Sequence, residues 1–326
     1  MTPSLLRWIG SAVLCACAGL VSTAAAAGSS ACAEGARRPI GDARIHLAID
    51  EARRQHQLFG GQTIERNGGL FHVGYHEAEW DRPPGEGTPT WERVATFWRA
   101  LSDSEPPRLM TSVGRVARAE AARDAAAGGI APRAEVAVRE ALLRTAIVDT
   151  PWSAAFISYL MKTAGFSGAE FAFSDSHADY VQAALETSAA EAAGQPATHA
   201  FRACDVATTR PRAGDLLCAT RGSTAGVASL AALAAAFAER RRGQDFPMHC
   251  ELVVRADQAG DAKLETIGGN VVQSVTLSRM TLNADKVLSG GYFGSAAPRP
   301  DCSRAGPPCR GHLGRRPWVV LLQSRN

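Results

Sequence analysis

One run constrains the folding of this chain more than any other: Thr150-Pro151-Trp152-Ser153-Ala154-Ala155-Phe156-Ile157-Ser158-Tyr159-Leu160. Thr150 can cap a helix, and Pro151 suits the first helical position, where its missing N–H would have no partner anyway. Trp152, Phe156, Tyr159, Leu160 and Thr163 recur near one face at helical spacing, and Gly165 supplies a stop. The pattern predicts a buried helix. Ser153 falls in its first turn, where unpaired N–H groups and the positive end of the helix dipole favour developing negative charge. Serine is also common there for structural reasons, so Ser153 is a candidate nucleophile only if a base stands close. Two later stretches could supply partners. His249 lies in Met248-His249-Cys250-Glu251-Leu252-Val253-Val254, and Asn270 closes Leu264-Glu265-Thr266-Ile267-Gly268-Gly269-Asn270.

With 326 residues, 46% of them hydrophobic, the chain has material for one large domain or two small ones. Its net charge is only +3, and the only lysines are Lys162, Lys263 and Lys286, so the basic side is arginine mixed with acids. No massed basic face or aromatic stacking motif is visible, which argues against a nucleic-acid partner.

Residues 1–27 read as a secretion signal: Arg7 gives a positive start, Trp8 to Val21 an apolar stretch, and Ala24-Ala25-Ala26-Ala27 a cleavage site. Leu14-Cys15-Ala16-Cys17 is a poor match to a lipoprotein signal. No other run is long and apolar enough to span a bilayer. The expectation is a secreted or periplasmic protein without an integral membrane segment. Six cysteines then remain (Cys32, Cys204, Cys218, Cys250, Cys302 and Cys309), enough for up to three disulfides in an oxidising compartment. Cys302 and Cys309, bracketing a proline-rich loop, form the expected pair. No C-x-x-C pair points to structural zinc.

Residues 28–132 are expected to form a helical N-terminal unit and a connecting arm, and residues 133–326 the core domain. The unit contains a helix from Ala43 to Phe59, extended pieces near Gln62 and Leu70, and an amphipathic helix from Trp91 to Leu101. His72 and His76 would stand about 13 Å apart on a strand, too far to share a metal ion. The arm is rich in Ala, Arg, Gly and Pro, with one surface helix near Val113 to Ala127. Further helices are expected over Glu135–Val148, His177–Glu191 and Val227–Arg242. Strands follow at Cys250–Arg255, Leu264–Ile267, Val271–Leu277 and Trp318–Leu322. Helices first and strands last predict an α+β fold with a mostly antiparallel sheet.

Trp152-Ser153-Ala154-Ala155-Phe156, the turn Pro211 with Gly214-Asp215-Leu216, His249 before Leu252-Val253-Val254, and Ile267 with Asn270 together resemble the papain-like cell-wall hydrolases of the NlpC/P60 and CHAP type. In that pattern a cysteine opens the first core helix, a histidine lies on one strand and a polar residue on the next. More closely, the chain resembles the bacterial domain-of-unknown-function 2272 family. That likeness rests on Trp91-Glu92-Arg93-Val94-Ala95-Thr96-Phe97-Trp98, the Trp152 run, His177 with Tyr180, His249-Cys250-Glu251-Leu252-Val253-Val254 and Ile267-Gly268-Gly269-Asn270. The resemblance implies a papain-like core whose N-terminal helix carries the site, packed on the sheet. It implies a catalytic set of Ser153, His249 and Asn270, with Trp152, His177, Tyr180 and Gly269 at the substrate. It implies action on peptidoglycan peptides as an amidase or peptidase, with no cofactor and no metal. Ser153 stands where the cysteine would be, so a hydrolase-like domain that only binds cell-wall peptide, or a structural envelope protein, remains an alternative.

Overall fold

A computed structural model describes residues 30–101, 132–295 and 311–325. The signal segment, the helix expected near Val113 to Ala127 and the Cys302–Cys309 pair lie outside them. After a helical turn over residues 30–35 comes Ala43–Leu58 (α1), capped by Asp42, whose side chain accepts from the Arg44 N–H at 2.9 Å. Two short strands follow, Thr63–Ile64 (β1) and Leu70–His72 (β2), then the helix Thr90–Arg99 (α2). Pro132–Asp149 (α3), Ser153–Thr163 (α4) and His177–Ala192 (α5) lead into the strands Phe201–Asp205 (β3) and Leu216–Thr220 (β4). The helix Leu230–Ala238 (α6) precedes four more strands: Met248–Ala256 (β5), Lys263–Val271 (β6), Ser274–Thr281 (β7) and Trp318–Ser324 (β8). The fold is α+β.

The eight strands form one sheet in the order β2-β1-β7-β6-β5-β4-β8-β3, and every neighbouring pair is antiparallel except β1 with β7. Period-2 alternation splits its side chains between two apolar layers. Leu216, Cys218, Cys250, Leu252 and Val254 join the helices in the main core, whereas Leu217, Ala219, Val253 and Leu321 meet Cys32, Leu282, Leu288 and Tyr292 on the other face. Covered on both sides, β4 is buried along its whole length. Ile45, Ala48, Ile49 and Ala52 of α1 and Val94, Phe97 and Trp98 of α2 belong to the same core cluster as Trp152, Phe156 and Leu160 of α4. The N-terminal segment thus contributes both to the sheet, through β1 and β2, and to the core beneath Ser153. Each large apolar side chain buried there stabilises the fold by about 1.5–3 kcal/mol.

Two disulfides cross-link this frame. Cys32 joins Cys204, fastening the first helical turn to β3, and Cys218 joins Cys250 across the β4–β5 pair, where the two residues face each other in register. Disulfides of this kind fit a chain that folds in an oxidising compartment. No helix among the described residues is long and apolar enough to cross a membrane.

The expected strand Val271–Leu277 is broken. β6 runs through Val271, and the chain reverses at Val272 and Gln273, both in the left-handed region with φ of 49° and 60°. Such two-residue hairpin turns favour Asn-Gly, so a Val-Gln pair gives no turn signal in the sequence. A β-branched residue pays for that conformation, at about 1–2 kcal/mol. Replacing Val272→Asn together with Gln273→Gly should therefore raise the unfolding free energy by about 1 kcal/mol. Urea unfolding of the two proteins checks this; a less stable double variant would refute the strained-turn account.

Candidate active site

The geometry begins with the residue before the serine. Trp152 is the N-cap of α4 and Ser153 its first residue, so the helix starts later than the Thr150–Pro151 signal suggested. The Trp152 backbone N–H is occupied elsewhere: the Asn270 carboxamide, oriented to satisfy both neighbours, accepts from it at 3.2 Å and donates to Glu77 Oε2 at 3.2 Å. Glu77 Oε2 also accepts from the Trp152 indole N–H at 2.8 Å. Burial is the main influence that raises the Glu77 pKa, against the pull of the indole. The Trp152 ring is fully buried against Phe59, Phe97 and Phe156. Gly269 lies directly beneath α4, and a Cβ there would come within 2.6 Å of Phe156 and 2.8 Å of Trp152. Trp152, Asn270 and Gly269, expected at the chemistry or the substrate, together hold the start of the helix in place.

Ser153 is 2% exposed, and its Oγ lies 2.7 Å from Nε2 of His177. The loop before His177 is tied to α4, because Ser158 Oγ donates to the Ser174 carbonyl at 2.8 Å. Ser174 Oγ in turn donates to Asp179 at 2.7 Å, fixing the first turn of α5. His177 opens that helix, and its Nδ1 meets the hydroxyl of Tyr180 one turn on. Desolvation first, then Asp179, raises the Tyr180 pKa well above its ordinary value, so the phenol stays neutral. With a neutral imidazole the chain has two senses. If Nδ1 carries the proton and gives it to Tyr180 Oη, Nε2 is free to accept the serine proton.

His249 occupies a neighbouring position, its ring centroid 5.3 Å from that of His177. Its Nε2 faces Glu251 Oε1 at 3.3 Å. The expected Ser153–His249–Asn270 arrangement is thus replaced: the serine pairs with His177, His249 pairs with Glu251, and Asn270 pairs with Trp152 and Glu77. The cause is local geometry. Residues two apart on a strand share a face, which sets His249 with Glu251, while the start of α5 points His177 at the start of α4. Glu251 is fully buried and also takes Arg316 and the Thr266 hydroxyl. Desolvation pushes its pKa up, but Arg316, His249 and Thr266 outweigh that and hold it at about 2. Glu77, Glu251, Arg221 and Arg316 are not among the residues that the sequence places at this site. Only Glu251 left a signal there, two residues from His249 in a run of strand residues.

Both rings are held neutral. Desolvation, then Arg316, takes His249 down to about 4 against the opposing pull of Glu251. Desolvation, followed by His249, Arg221 and Arg316, takes His177 well below its ordinary value. A cleft of about 180 Å³ reaches Ser153 and His177 between Trp98, Pro151, Arg221 and Phe246. A larger cavity of about 520 Å³ lies against His249 and Asn270 and shares Arg221 with the cleft. A serine hydroxyl at a helix start, hydrogen-bonded to a neutral imidazole and bordered by a cleft, is equipped for proton-coupled attack on an electrophilic carbon.

This is an α+β protein with a buried serine–histidine–tyrosine chain at the meeting of two helix starts. The chain belongs to the DUF2272 family, described as an uncharacterized protein conserved in bacteria, whose model matches residues 85–324. No curated protein and no solved structure matches it.

The depressed pKa values fix the sign of the pH response. In the unfolded chain a histidine takes its proton near pH 6.5, whereas folded His249 does so only near 4. Its contribution to stability is therefore complete above about pH 6.5 and is lost as pH falls from there towards 4. The imidazole carbon resonances of His177 and His249 should keep their neutral-form shifts from pH 8 down to pH 5. A midpoint near 6.5 for either ring would contradict the buried, neutral pair.

Proposed function

We propose that the chain is an exported cell-envelope hydrolase, an amidase or peptidase acting on peptidoglycan peptides, with Ser153 as nucleophile and His177 as its general base. The observation that carries this reading is the 2.7 Å contact between Ser153 Oγ and His177 Nε2 at the start of α4. The two disulfides support export. The cell-wall substrate rests on the resemblance of the Trp152, His249 and Asn270 runs to NlpC/P60- and CHAP-type enzymes.

The steps are those of acyl transfer. Ser153 Oγ attacks the amide carbon as its proton passes to His177 Nε2, and the Nδ1–H donates to Tyr180 Oη and stabilises the imidazolium. Backbone N–H groups that a helix leaves unpaired in its first turn are suited to stabilise the oxyanion that develops beside Ser153. The C–N bond breaks as Nε2 returns the proton to the departing amine. Water then enters and attacks the serine ester as it gives a proton to the same nitrogen; that proton passes to Ser153 Oγ as the acyl C–O bond breaks, which releases the acid and restores the neutral imidazole. Asn270 and Glu77 act on Ser153 through Trp152, as positioning residues.

The 2% exposure of Ser153 favours one other reading, a domain that binds the peptide without cleaving it, its Ser–His–Tyr chain serving only packing. Incubation with purified muropeptides, read by mass spectrometry, separates the two. Wild type should release cleaved peptide and its Ser153 should be modified by a fluorophosphonate. Ser153→Ala and His177→Ala should each lower turnover by about 10³-fold or more, and the double variant by little beyond either, because such groups act as a unit. Muropeptide binding with neither turnover nor labelling would establish the binding reading instead.

A further inference from the structure

The larger cavity beside the site is cationic among the described residues that line it. Its walls carry Arg221, Arg315 and Arg316 together with His249, and among the described residues no Asp or Glu lines it. Arg316 is neutralised by Glu251 beneath it, and the Nε of Arg315 donates to the Gly291 carbonyl at 2.9 Å, which orients it but leaves its charge in place. Arg221 is exposed, and among the described residues no carboxylate lies within 4.0 Å of it. Partial desolvation of its guanidinium and the like charge of Arg316 depress its pKa, while Asp245, which lines the neighbouring cleft with it, and Tyr180 oppose this. Two arginines therefore face a cavity of about 520 Å³ with charge left over.

Position gives that surplus a meaning. Arg221 lines both this cavity and the cleft that reaches Ser153 and His177. A chain whose reacting carbonyl sits at Ser153 can run past Arg221 into the larger cavity. The neutral wall of the cavity, Ile64, Val271, Val272 and Leu313, suits an alkyl or peptide stem. Planar guanidinium groups match carboxylates by paired hydrogen bonds, better than they match any neutral group.

We propose that the Arg221–Arg315 cavity is a carboxylate-binding subsite, which selects peptides bearing a free carboxylate close to the bond presented to Ser153. This deepens the hydrolase reading and rests on it for the word substrate; the binding of the acid itself does not need turnover.

Calorimetric titration with a disaccharide-tetrapeptide, and with the same molecule after its carboxylates are converted to methyl esters, tests the subsite. The wild type should bind the acid about tenfold more tightly than the ester, with the preference falling as salt rises. Arg221→Gln and Arg315→Gln should each remove most of that preference while binding the ester as the wild type does. Equal affinity for acid and ester in the wild type, equal loss for both ligands in the variants, or no binding of the acid would overturn the proposal. Arg221 is exposed and takes part in no ion pair among the described residues, so its replacement leaves the core untouched, and unchanged melting of the variant verifies this. Selective acid binding by a protein that neither cleaves the peptide nor labels at Ser153 would keep the subsite and discard the hydrolase reading.

Discussion

The candidate site depends on one buried carboxylate, that of Glu77. Glu77 receives the Trp152 indole N–H and the Asn270 amide, while its own backbone N–H donates to the Gln273 carbonyl at 2.9 Å. Removing the carboxylate would leave two buried donors without partners, each costing about 1–3 kcal/mol. Trp152 is the residue the arrangement secures, by hydrogen bonds on its indole and backbone nitrogens and by the rings of Phe59, Phe97 and Phe156 around it. Those rings come from the end of α1, from α2 and from α4. Segments as far apart in the chain as Phe59 and Asn270 therefore converge on the residue immediately before Ser153. The segment that ends at Leu101 is built into the foundation of the site.

Much of this frame was legible in the sequence because it depends on periodicity. The apolar stripes of α1, α2 and α4 follow helical spacing, and the observed ends lie within a few residues of those expected. β5 and β8 declare themselves as runs of Val and Leu. β3 does not: Phe-Arg-Ala-Cys-Asp is short and mixed, and it becomes a strand only because β8 lies beside it and Cys204 is bonded to Cys32. The Val272–Gln273 turn was hidden for the opposite reason, since its residues favour extended backbone and the hairpin imposes another conformation on them.

The site was legible in its members and not in its pairings. Ser153, His177, Tyr180 and His249 could all be singled out by residue type and place. Which histidine meets the serine depends on how two helix starts oppose each other across a loop, and that is a tertiary fact. Likewise the His249–Glu251 contact follows from strand alternation, but the burial that turns it into a cluster with Arg316 and Thr266 comes from elements far away in sequence.

The same dryness bears on the proposal that Ser153 acts as a nucleophile at a position where the hydrolase pattern it resembles has a cysteine. A thiol nucleophile works best as a thiolate beside an imidazolium, and His177 is hard to charge: desolvation opposes it, and His249, Arg221 and Arg316 add to the opposition. A hydroxyl asks less, because its histidine must be neutral before the reaction and carries charge only while an oxyanion forms beside it. The proposed subsite would act on this balance as well as on affinity. On that proposal, a substrate carboxylate at Arg221 would offset part of the positive potential that depresses His177, and the ring would become a stronger base once an acid had bound. Recognition and activation would then share one electrostatic origin, and a neutral ester would lose reactivity in addition to binding.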